Sequence, residues 1–275
     1  MAVFKAFQTL SIPGTIGEPN EDAAGAASRA AWIVDGATGI SGSNVTNEAS
    51  DAAWLAGQLH NQLTVQGDAP DLPTLEASVA AAFDPFAARL DGGDHLAPSA
   101  CLGLVTAGPG GHLRGALLGD VTILLPINGQ IERWTDERAK PFERLTFATL
   151  GEDLGAAISD TTRRQIMSNR EKMNHDGGYW VVQPLRPWAK NALSFEARVD
   201  PGAMIVLASD GFMRLVDLFG AYSDESLHAA LAGGGGEALM QELRERENRP
   251  DSMRLHRRVK IHDDATFIVV EAQVQ

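Results

Sequence analysis

The sequence predicts an α+β fold of mainly antiparallel sheet covered by helices. After one short strand, two helical patterns lead to a run of strand patterns separated by Gly-rich turns, and helices then return before one closing strand. That order lacks the regular alternation of a parallel βαβ chain. The chain is also large and apolar enough for one substantial core. It has 275 residues, of which 44% are hydrophobic and 21% charged, and a domain near this size buries roughly three quarters of its unfolded surface. No internal repeat or disordered linker divides it, so residues 1–275 read as a single domain.

The first strong element is Ala30-Ala31-Trp32-Ile33-Val34, a buried strand stopped by Asp35-Gly36. A helix is predicted from about Asn47 to Leu63, with Ala52, Leu55, Leu59 and Leu63 on one face and Asn47 as N-cap. A second starts after Asp71 with Pro73 in its first turn; its stripe of Leu75, Val79, Phe83, Phe86 and Leu90 contains Pro85, which removes a backbone donor. From Ser99 the period shortens, and Ala100–Thr106, Gly115–Gly119 and Val121–Pro126 read as strands. Residues 127–155 read as long loops with short elements. A polar helix over about Asp160–Asn174 is followed by strand patterns at Tyr179–Gln183, Ala192–Arg198 and Ala203–Ala208. Helices at Ser223–Ala232 and Glu237–Asn248, broken by Gly233–Gly236, lead to the final strand Ala265–Glu271.

Charge and composition narrow the function. With 23 Lys and Arg against 36 Asp and Glu, the net charge is −13, unsuited to nucleic acid or an anionic membrane. No apolar run approaches the ~20 residues of a membrane helix, and Gln8, Ser11 and Pro13 interrupt the N-terminal stretch that a signal peptide would need. The single Cys101 excludes an internal disulfide and points to a reducing compartment. A soluble cytoplasmic protein is expected. Arg outnumbers Lys 18 to 5, a composition of GC-rich bacterial genomes.

Carboxylates stand at the ends of apolar strand runs far apart in the chain. Asp35, Asp120 and Asp210 each follow one, Asp263 and Asp264 precede the last, and Glu21 and Asp22 precede the first. Asp-Gly is also the commonest hairpin turn signal, so Asp35-Gly36 and Asp210-Gly211 taken singly are more often turns than ligands. Brought together, however, such carboxylates disfavour joint ionisation. Mg²⁺ or Mn²⁺ relieves that repulsion through hard oxygen ligands, and no Cys/His set suited to zinc exists here. A two-metal site suits phosphate-ester hydrolysis with a metal-bound hydroxide as nucleophile.

Asn20-Glu21-Asp22, Val34-Asp35-Gly36-Ala37-Thr38-Gly39, Gly119-Asp120, Ala208-Ser209-Asp210-Gly211 and Asp263-Asp264-Ala265-Thr266 resemble, in order and spacing, the motifs of the metal-dependent protein phosphatases of type 2C. Ser99-Ala100 resembles that family's small-residue motif. The resemblance implies a four-layer αββα sandwich, two mainly antiparallel sheets flanked by helices. It also implies that Asp35 bridges two Mn²⁺ or Mg²⁺ ions and that the Gly36 carbonyl ligates one of them. Asp210 and Asp263 would complete the first ion, Glu21 would hold the second, and Asp22 would act through water. Asp120 with Asp210 resembles the pair that holds a third, weaker ion in bacterial members. The implied activity is hydrolysis of phosphoserine and phosphothreonine in proteins.

Three departures qualify that implication. Gly17 stands where members often carry a phosphate-gripping Arg, Ala37 where the family has the His proposed as general acid, and Asp264 where it has Asn. Arg257, Arg258, Lys260 and His262 crowd the approach to Asp263, and any of them could face phosphate; His262 is the candidate proton donor. Read without function, they are a solvated basic face. Trp180, Trp188 and Lys190 could border a substrate groove or simply pack, and Cys101 reads as a small core residue. The alternative to an enzyme is a pseudophosphatase, a regulatory module that binds a phosphorylated partner without turning it over.

Overall fold

The computed structural model describes residues 2–37, 39, 44–151 and 158–274. Thr38 of the Val34–Gly39 motif lies outside the described residues. In chain order the described elements are β1 (Ala2–Ile12), β2 (Asp22–Ala26), β3 (Ala30–Ala37), α1 (Asp51–Gln66), α2 (Leu72–Ala87), β4 (Ser99–Ala107), β5 (His112–Leu118), β6 (Thr122–Ile127) and β7 (Gln130–Trp134). Then come α3 (Lys140–Ala148), α4 (Asp160–Arg170), β8 (Leu193–Arg198), β9 (Ala203–Ala208), α5 (Asp210–Asp217), α6 (Asp224–Ala232), α7 (Gly236–Glu247), α8 (Ser252–Leu255) and β10 (Ala265–Val274).

The strands form two five-stranded sheets, ordered β1-β10-β9-β6-β7 and β2-β3-β4-β5-β8, and every pairing is antiparallel. Alternation along each strand builds the layers. On β3, Ile33 points between the sheets, where it meets Ile123, Ile205 and Ile268. Trp32 and Val34 point the other way, onto Leu55 and Leu59 of α1 and Phe83 of α2. On the second sheet, Phe267 and Val269 face outward against Phe212 of α5, Leu227 of α6 and Leu243 of α7. Each such side chain contributes about 1.5–3 kcal/mol on burial. The result is the expected helix–sheet–sheet–helix sandwich.

Local chemistry sets the helix starts. α1 begins four residues later than predicted, because the hydroxyl of Ser50 rather than Asn47 accepts from Ala53 N and caps it. Asn47 instead sits at φ 63, while the Asp51 carboxylate gathers the amides of Val45 and Thr46. Asp71 caps α2 with Pro73 in its first turn, as predicted. α4 stops at Arg170, and Asn174 turns the chain at φ 54. Tyr179–Gln183 makes no strand; Val182 and Tyr179 each form a single bridge, to Ala100 and Met173. Pro184 removes the next backbone donor. Trp188 is fully buried among α1, α2 and the sheet, so it packs rather than borders a groove.

Candidate metal centre

The antiparallel order brings the expected carboxylates to one end of both sheets. Asp22, first residue of β2, lies directly opposite Asp35 near the end of β3. Asp35 in turn lies opposite Cys101 near the start of β4. Asp120 follows β5, and Cys101 Sγ donates to its Oδ1 at 3.2 Å. Across the sandwich, β9 ends into α5, whose first residue is Asp210. The Asp210 N–H donates to Asp35 Oδ2 at 3.2 Å, which ties the two sheets together at the cluster. Glu21 precedes β2; its carbonyl accepts from Gly36 N at 3.0 Å and its carboxylate accepts from the Ser50 hydroxyl at 2.6 Å. The N-cap of α1 therefore also positions Glu21.

Asp264 has a role that a neutral amide could not fill equally. Its two carboxylate oxygens accept from Gly14 N at 2.7 Å and Glu21 N at 2.6 Å. An Asn would offer one oxygen and present an NH₂ donor to the second amide. Asp264 is thus a clamp between the ends of β10, β1 and β2.

The ionisation of these groups is strongly mutual. Burial, followed by the charges of Asp22 and Asp210, holds Asp35 well above the ordinary carboxylate value. Asp22 is likewise raised, chiefly by burial and also by the charges of Asp264 and Asp210, although the nearby Ser209 and Thr266 side chains offset part of it. Asp210 keeps contact with solvent as a residue, yet loss of water around its carboxyl, then Asp120 and Asp263, push it up to about 7. Asp120 is pushed up to about 6 by burial and then by Glu143.

Glu143, in the first turn of α3, was invisible to sequence reasoning because residues 127–155 read as loops. Burial, then the charge of Asp210, raise its carboxyl, and its own charge helps to raise Asp120. The signal that could have found it was Pro141 opening a helix with Glu143 one turn in.

Two cations also enter the cluster. Arg214, one turn after Asp210 on α5, places a guanidinium nitrogen 2.7 Å from Asp263 Oδ2. Lys260 Nζ lies 3.2 Å from Asp263 Oδ1. Arg257 and Arg258 do not face it: Arg257 donates to the Leu150 carbonyl, and the buried Arg258 donates to carbonyls of His256 and Ile261. His262 turns its Nε2 to Asn248 Oδ1 at 2.9 Å, beside the end of α7. Ala37 is exposed at the end of β3, and Gly17 is exposed at φ +91.

Among the described residues, no three His, Cys, Asp or Glu side chains are gathered closely enough to hold a metal ion as they stand. The donor chemistry nevertheless fits a hard divalent cation: oxygen ligands with excess negative charge and raised proton affinity. Asp22 Oδ2 is buried without a hydrogen-bond partner, the kind of atom an ion or its water would satisfy.

Full-length matches to solved structures accompany this geometry. The catalytic domain of serine/threonine protein phosphatase PstP, in complex with two manganese ions, aligns with a TM-score of 0.56 at 17% identity over 99% of this chain and 100% of that chain. The chain has the type 2C phosphatase fold. PppA of Pseudomonas aeruginosa matches at 16% identity, TM-score 0.55, over 99% of this chain and 100% of its own. Stp1 of Staphylococcus aureus matches at 15% identity, TM-score 0.56, over 98% of this chain and 94% of its own. No family model and no curated protein matches the sequence. No described helix is long and apolar enough to cross a membrane.

Proposed function

We propose that this chain is a Mn²⁺- or Mg²⁺-dependent phosphomonoester hydrolase acting on phosphoserine and phosphothreonine in proteins. The observation that carries the reading is the junction of Asp35 with the start of α5 at Asp210, with Asp22 opposite Asp35 on the paired strand and Asp120 joined to Cys101 on the next. In this reading Asp35, Asp210, Asp263 and Glu21 hold the ions together with the Gly36 carbonyl. Asp22 acts through water, and Asp120 with Asp210 forms a third position. The chemistry such ions supply when bound is Lewis-acid polarisation of the phosphoryl oxygens and acidification of an attacking water.

The protein's own residues orient that chemistry. Ser50 fixes the rotamer of Glu21, and Asp264 fixes its backbone. Asp35 is fixed from the opposite sheet by Asp210 N–H. The proton for a departing alkoxide is assigned to His262, whose ring must leave Asn248 to deliver it. Glu143, already on the cluster, is the second candidate.

A pseudophosphatase remains the second reading, favoured by one observation: both oxygens of Asp263 are engaged by cations of the chain itself. Incubation with a phosphoserine peptide and Mn²⁺ separates the two. Catalytic release of phosphate supports the enzyme. Stoichiometric peptide binding with no phosphate released over hours overturns it.

A further inference from the structure

We propose that Glu247 is a positioning residue of the metal centre: through Arg214 and Arg244 it fixes both the carboxylate and the backbone of Asp263. The inference rests on the metal reading above and brings α7 into it.

Glu247 closes α7, and its side chain is fully buried. A carboxylate so placed is tolerated only when it is paired. Arg214 of α5 donates to its Oε1 at 2.7 Å, and Arg244, three residues earlier on α7, donates to its Oε2. Each arginine then carries on to Asp263. The second terminal nitrogen of Arg214 donates to Asp263 Oδ2 at 2.7 Å. That of Arg244 donates to the Asp263 backbone carbonyl at 2.8 Å and to the Pro13 carbonyl at 3.1 Å. The four residues form a closed ring, so neither guanidinium can turn without breaking its bond to Glu247. The rigid fork of an arginine spans two acceptors at a fixed separation, which an ammonium cannot do. Asp263 is thereby presented to the cluster in one orientation. It keeps the capacity to ligate, because an ionised carboxylate has about four lone-pair sites and Arg214 takes one. Glu247 also shares the charge of Arg214, which would otherwise fall more fully on Asp263 and oppose a cation there.

Outer residues that orient a metal ligand typically govern about 10–100-fold in affinity. The test is calorimetric titration with Mn²⁺ alone, at one pH and ionic strength, on the whole chain, with circular dichroism to establish that each variant is folded. Glu247→Gln offers one oxygen where two are used, and should bind Mn²⁺ on the order of ten-fold or more weakly than wild type. Arg244→Lys keeps the charge but cannot span Glu247 and the Asp263 carbonyl together. It should weaken binding in the same direction, and it decides the question if Glu247→Gln does not fold. Arg133→Gln removes a different ion pair of α5, that with Asp217, and should lower the Tm while binding like wild type. Unchanged or tighter binding by folded Glu247→Gln or by Arg244→Lys, or an equal loss in Arg133→Gln, overturns the proposal and leaves the metal reading intact. Absence of Mn²⁺ binding in wild type overturns both.

Discussion

Gly211→Ala is expected to damage the site and the fold together. Gly211 follows Asp210 in α5, and a Cβ built on it would lie 1.9 Å from the Asp264 carbonyl oxygen and 3.1 Å from the Asp263 Cβ. A carbon and a carbonyl oxygen in contact stand about 3.3 Å apart or more, so two backbones must separate by more than 1 Å. Neither is free to move. The start of α5 holds Asp35 through the Asp210 N–H, and Asp264 holds Gly14 and Glu21. Overpacking costs typically 1–3 kcal/mol, and a backbone obstacle belongs at the upper end. A loss of about 3 kcal/mol corresponds to roughly 6–12 °C in Tm for a chain of this size. Gly57→Ala is the control: Gly57 lies inside α1 with nothing within 4 Å of its would-be Cβ, so alanine there should stabilise by about 1 kcal/mol. Scanning calorimetry in EDTA gives both values, and Mn²⁺ titration should show weakened binding only for Gly211→Ala. A Gly211→Ala protein that melts and binds like wild type would refute the packing argument.

Other perturbations have equally definite outcomes. Asp210→Asn should weaken Mn²⁺ binding and abolish turnover while leaving the metal-free Tm equal or higher at pH 8, because it removes repulsion among buried carboxylates; full Mn²⁺-dependent activity would contradict this. Asp120 near 6 and Asp210 near 7 keep protons that carboxylates of ordinary value 3.8 release on unfolding. Metal-free stability should therefore fall as pH rises from about 4 to about 7, then level off, and added Mn²⁺ should reverse the fall; denaturant melts in EDTA that show stability rising across that window would contradict the coupling. Gly17→Arg has open space but a φ of +91, so it should cost about 1–2 kcal/mol in stability while lowering KM for a phosphorylated substrate, and an unchanged KM would show that the arginine does not reach phosphate. His262→Ala should slow phosphoserine cleavage and spare an activated aryl phosphate, whose leaving group needs no proton; equal rates on both substrates before and after would remove His262 as the donor.

The sheet core was legible in the sequence wherever a strand carried a dense apolar run. β9 spans the predicted Ala203–Ala208, and β4, β5 and β6 fall within a few residues of expectation. β2 was not legible, because Asp22–Ala26 is built from Ala and Gly and becomes a strand only by pairing with β3. β1 was hidden because its half-buried edge position leaves polar residues along it. The carboxylates were legible because each marks the end of an apolar run, and antiparallel order places those ends together. What the sequence did not reveal depends on rotamers and tertiary contacts: Glu143 on Asp120, Arg214 and Lys260 on Asp263, and Asp264 as a backbone clamp. Cys101, read as core, touches Asp120, and burial pushes its thiol up. Among four basic residues near Asp263, linear spacing could not separate Lys260, which reaches the cluster, from Arg257 and Arg258, which cap carbonyls elsewhere.

The central claim is that this carboxylate cluster supports metal-dependent cleavage of a phosphate monoester. Release of phosphate from an aryl phosphate, measured for wild type and Asp35→Asn with Mn²⁺, with Mg²⁺ and with EDTA, tests it most directly. The account predicts turnover by wild type with either metal, none with EDTA and none from Asp35→Asn under any condition. Hydrolysis that survives EDTA, or that Asp35→Asn retains with Mn²⁺, would contradict it.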